Sequence, residues 1–157
     1  MKFIPFFLIA ILLFSACKTE VPAVQASVQQ FFPGAPGSQP STEYTISMKA
    51  LADEITIDSV FAGKNGVGGW FKPKAVQKGD SSVLHFTQVG EGRDRDDHVI
   101  YSAKPKLEKF PAMLTDEAQK LNINTERKYV ALIIGRYGKQ KFNKTVEFKV
   151  SQPIYAP

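Results

Sequence analysis

The densest collection of reactive side chains in this sequence is EGRDRDDH, residues 91–98. Asp94, Asp96 and Asp97 are hard oxygen donors of the kind calcium takes, and His98 adds a nitrogen suited to a transition metal. Arg93 and Arg95 interrupt those carboxylates, however, and the glycine and closing Glu of an EF-hand loop are absent. The segment reads as a self-neutralised hairpin tip whose arginines steer a partner. A second stretch, GKNGVGGWF at residues 63–71, carries the glycines of an anion-cradling loop. It lacks the Gly-Lys-Ser/Thr ending and the following helix of a phosphate loop, so a flexible hairpin connection is expected. Trp70, the sole tryptophan, or Phe71 beside it is expected to pack inward, with contact area offered to a partner as the alternative. His85 lies close in sequence to Ser81, Ser82 and Thr87, as a Ser–His relay would require. No motif supplies a carboxylate to orient that imidazole, and no nucleophile elbow is present. Catalysis is therefore not expected, and no cofactor or small molecule is identified.

The remaining reactive group is Cys17, the single cysteine, which ends an apolar run beginning after Lys2. Residues 3–16 fall short of the roughly 20 needed to cross a bilayer as a helix, and Ser15 and Ala16 are small enough for a signal peptidase. A lone thiol has no disulfide partner within its own chain and is an oxidation hazard in an exported protein. The sequence Phe14-Ser15-Ala16-Cys17 resembles the lipobox of bacterial lipoproteins, with Phe14 where that family prefers Leu. The resemblance implies a signal peptide over residues 1–16, cleavage before Cys17, and conversion of its thiol to a diacylglyceryl thioether. One acyl chain anchors marginally, whereas two or more hold essentially permanently. Lys18 stands where an Asp marks inner-membrane retention in enterobacterial lipoproteins, so the resemblance implies the outer membrane. The short Lys/Glu stretch after the cysteine is also similar to that of Bacteroidota lipoproteins, some of which face the cell surface.

The elements that must carry these groups follow from composition and period. The chain has 157 residues and a formal charge of +5, with its lysines scattered rather than grouped, which argues against nucleic-acid binding. Residues 17–27 read as the lipidated cysteine and a flexible tether, whose ~15–20 Å root-mean-square reach would hold the body just clear of the headgroups. Residues 28–157 then form one domain, entered through a Pro/Gly-rich segment at 28–42 where Phe31 and Phe32 pin the chain to the core.

Beyond Glu43 the hydrophobic period is two. Tyr44, Ile46 and Met48 alternate with Thr45 and Ser47, and Leu84 and Phe86 oppose Val83, His85 and Thr87. The same holds for Val146, Phe148 and Val150. Such alternation predicts half-buried strands. The run YVALII, residues 129–134, is apolar on both faces and predicts a central strand covered on both sides. Only TDEAQKLN, residues 115–122, looks helical, with Thr115 as its cap. The predicted fold is all-β, an immunoglobulin-like antiparallel β-sandwich with at most one short helix. The functional expectation is a lipid-anchored envelope protein whose domain serves as a binding or structural accessory subunit, its partners being the membrane and an envelope protein. The alternative is a ligand-binding or hydrolytic domain acting on envelope glycans or a small molecule, with a site rimmed by His85, Trp70 or residues 91–98.

Overall fold

A computed structural model describes residues 21–35, 38–89, 101–103 and 105–156. In chain order its strands are β1 (Val24–Phe32), β2 (Ser41–Met48), β3 (Ile55–Lys64), β4 (Val67–Phe71), β5 (Ala75–Lys78), β6 (Ser81–Val89), β7 (Tyr101–Ala103) and β8 (Glu108–Lys109). The helix α1 (Ala112–Lys120) follows, and then β9 (Val130–Tyr137), β10 (Gln140–Glu147), β11 (Lys149–Val150) and β12 (Ile154–Tyr155). One sheet has the order β11-β1-β2-β6-β5, with β12 also on β1 and β7 also on β6; the other has the order β10-β9-β3-β4-β8. Their inner faces close on each other as an all-β sandwich, as the period of two predicts.

Tight turns hold the register. Asn65 and Gly66, at φ 57° and 77°, join β3 to β4. Two consecutive left-handed residues are the requirement of a type I′ hairpin, and Asn-Gly is the pair that meets it most readily. Residues 63–71 are therefore an ordered ladder rather than a flexible connection. Gly63 and Gly68 face each other across it, and a Cβ on Gly68 would stand only 2.8 Å from a ring carbon of Phe61. Gly68 makes room for that ring and for the Ala62 carbonyl, Gly63 for the backbone of Val67 and Gly68, and Gly69 for the ring of Pro105.

Between the sheets, Val28, Tyr44, Ile46, Met48, Leu84 and Phe86 pack against Val60, Ala62, Phe71, Ala131, Ile133 and Phe148. Tyr44 lies at the centre, with ring centroids 5.1 Å from those of both Phe86 and Phe148. A second cluster forms on the outer face of the β9 sheet, where Leu114 of α1 meets Phe61, Val130 and Leu132. This double burial accounts for YVALII: Ala131 and Ile133 face the sandwich, while Val130 and Leu132 face the helix. Thr145 of β10 donates a 2.6 Å hydrogen bond to the carboxylate of Glu117, tying α1 down.

Three expectations are corrected. The tether and the entry segment are not loops over their length, because residues 24–32 form β1, paired with β2 from Val24 to Phe31. Val24, Ala26 and Val28 turn inward as a faint period of two, disguised by Gln and Ser at the alternate positions. The helix begins at Ala112, after Pro111 at the N-cap position, and not at Thr115. Starting there lets Leu114 and Ala118 share the buried face, and proline at a helix start forfeits no hydrogen bond. Finally, Val150 does not continue the strand of Val146. The chain leaves one sheet at Phe148 and joins the other as β11, parallel to β1.

Candidate functional site

The two aromatic residues singled out in the sequence lie on opposite faces of β4. Phe71 is fully buried, its ring centroid 4.7 Å from that of Phe86, so it is a core residue and cannot meet a partner. Trp70 faces outward, 37% exposed, with its indole edge-on to Phe61 at 5.2 Å. Arg93, Asp94, Arg95, Asp96, Asp97, His98 and Cys17 lie outside the described residues. Among the described residues no group of three His, Cys, Asp or Glu side chains is placed to hold a metal.

His85 sits mid-strand on the outer face of β6, opposite Thr45. Ser82 faces the other way: it is buried and donates to the carbonyl of Ala50 at 2.7 Å. Ser81 shares the face of His85, but four residues of extended chain separate them by ~13 Å, and its hydroxyl donates to Asp80 at 3.1 Å. The Ser–His relay is thus not assembled by these residues. The His85 Nε2 is buried with no hydrogen-bond partner among the described residues. Within the core, burial pushes the Tyr44 phenol well above its ordinary range, reinforced by the nearby Tyr129. Burial raises Tyr129 as well. Both phenols are held neutral, Tyr44 donating to Gln88 at 3.3 Å and Tyr129 accepting from Gln30 at 3.1 Å. They serve the core and are not poised acids or bases.

A concavity lies elsewhere, along β1. There β11 pairs only with Ser27 and Val28, and β12 only with Phe31 and Phe32. Residues 24–26 therefore have β2 on one side and no strand on the other among the described residues. The notch opens into a groove of about 810 Å³, bounded by Val24, Ala26, Ser27, Phe148 and Val150. Its rim carries Lys149 and the Lys128–Glu147 ion pair, 2.7 Å apart and half exposed. No protein-family model, curated protein or solved structure matches this chain. The site is accordingly read from its own chemistry.

A strand edge offers alternating N–H and C=O groups to another extended segment, and side pockets sort that segment's alternate side chains. Val24 and Val150 supply apolar contact, while the lysines and Glu147 supply charge at the margin. The groove contains no imidazole, thiol or carboxylate pair that could activate a nucleophile; its arrangement suits binding. Sequence reasoning missed these residues because a sheet-switching chain brings them together from opposite ends of the domain. The one local signal was the alternation of Val24, Ala26 and Val28 with Gln25, Ser27 and Gln29.

Proposed function

We propose that this chain is a lipid-anchored envelope protein, held at the outer membrane through Cys17, whose β-sandwich is a binding or structural accessory subunit. The observation that carries the anchor is the lone cysteine placed directly behind Phe14-Ser15-Ala16 at the end of an apolar leader. The open edge of β1 and its groove supply the partner contact, as β-strand addition requires. The described residues include no helix long and apolar enough to cross a membrane. The groove's own lining has one carboxylate, Glu147, paired with Lys128, and no imidazole or second carboxylate beside it, which favours binding over hydrolysis.

Labelling cells with radioactive palmitate tests the anchor. Label is expected in the wild-type protein and absent from Cys17→Ala, which moves to the soluble fraction. Equal labelling and unchanged fractionation of the two would refute it. In the same membranes, cross-linking to a partner is expected to be lost in Ser27→Arg, which fills the groove.

A further inference from the structure

The end of the sandwich where the chain enters lies a short leash away from residue 17. Val21 already packs against the core, and the carbonyl of Ala23 accepts from the Lys49 backbone N–H at 3.3 Å. Only Lys18, Thr19 and Glu20 separate Val21 from Cys17. Fully extended, that leash spans at most about 14 Å. The headgroup layer on each side of a bilayer is itself roughly 5–8 Å thick. A body tied so closely stays within roughly 6–9 Å of the headgroup surface even with the leash fully drawn out, and touches it when the leash is slack.

We infer that the entry end of the sandwich rests on the phospholipid headgroups, making the membrane surface a second binding partner of the folded domain. This rests on the lipidation of Cys17 proposed above. Three connections form that end, and hydrogen bonds hold them as one surface. The Ala52 N–H donates to Gln77 Oε1 at 2.6 Å, linking residues 49–54 to the end of β5. The Gly138 N–H donates to the Glu54 carbonyl at 2.7 Å, linking them to the β9–β10 turn. Leu51 protrudes from this surface, 47% exposed, with its N–H tied to the Glu54 carboxylate at 3.1 Å. Lys49, Lys78 and Lys139 stand exposed on the same three connections, interspersed with the exposed carboxylates of Asp53, Glu54 and Asp80. An apolar tip ringed by both signs of charge fits a zwitterionic headgroup boundary, where ammonium groups meet phosphates and a leucine reaches toward the acyl chains. The Asn65–Gly66 turn lies at the far end of β3, ~30 Å away by strand rise.

Single-tryptophan fluorescence tests this, because Trp70 is the sole indole and Trp70→Phe removes it. In that background, full-length lipidated Leu51→Trp and Val67→Trp proteins are purified from the host membrane. They are placed in phosphatidylethanolamine–phosphatidylglycerol vesicles containing lipid brominated near the headgroup. Leu51→Trp is expected to lose most of its emission and Val67→Trp to keep it. Inserting a six-residue Gly/Ser spacer after Glu20 is expected to restore the Leu51→Trp emission. Unquenched Leu51→Trp in protein whose Cys17 is lipidated by mass spectrometry overturns the inference alone. An unlipidated Cys17 overturns the anchor and the inference together.

Discussion

The two sheets treat their outer faces in opposite ways. The β9 sheet is covered by α1, which buries Phe61, Val130 and Leu132 beneath Leu114. The corresponding face of the β1 sheet presents Ser27, Thr45 and His85 side by side across three strands, all only partly buried. Hydrophobic content on both sides of a strand demands a second layer, whereas a polar alternate row does not. Among the described residues one domain thus contains a three-layer half and a two-layer half, and the helix exists to satisfy the former.

The largest effect that would break this contrast is Phe61→Ala. It removes a ring fully buried beneath Trp70 and Phe110, and is expected to cost about 3–5 kcal/mol in urea unfolding. Thr45→Ala on the polar outer face of the β1 sheet is expected to stay within about 0.5 kcal/mol. Equal losses would mean that the β1 sheet is covered as tightly as its partner.

A medium effect probes the core between the two halves. The buried Tyr44 phenol is held neutral while an unfolded tyrosine ionises near pH ~10. Its folded-state ionisation is raised, so its stabilising contribution is complete below pH ~10 and is lost as pH rises beyond it, by up to about 1.4 kcal/mol per pH unit. Melting curves between pH ~8 and ~11 should show Tyr44→Phe declining less steeply than wild type. Parallel declines would mean that the phenol ionises in place.

The smallest effect concerns the orphaned ring nitrogen. Replacing a buried, unpartnered polar group with an apolar one of similar size is near neutral or favourable. His85→Leu is therefore expected to leave the urea midpoint unchanged or raise it, by about 0–1 kcal/mol. A clear loss would reveal a partner for Nε2.

Several of these features were legible in the residues themselves. YVALII announced its double burial because apolar side chains at successive positions leave no face for water. Tyr44, Ile46, Met48, Leu84 and Phe86 announced their common face through strict alternation. β1 was illegible for the opposite reason: its inward residues include a small Ala26 and its outward ones are Gln and Ser, a composition shared with linkers. The helix start was misplaced because Thr115 is a better cap by type, while packing of Leu114 decided the outcome. Its hydroxyl instead bonds back to the Pro111 carbonyl at 3.4 Å. The groove was unreadable in principle, since its walls come from residues 24–27, Thr45, Ser47, Lys128 and residues 147–150, and meet only after the sheet switch at Phe148.

That switch orders events during biosynthesis. β1 emerges early, yet the neighbours on its outer edge, β11 and β12, come far later in the chain; Gln29 donates to the carbonyl of Gln152, 123 positions on, at 2.9 Å. Until those residues arrive, one long margin of the first strand stays open and the nascent domain has an adhesive border. The final segment works as a late clasp, so shortening the chain by a handful of residues there would leave a product prone to sticking to its own kind.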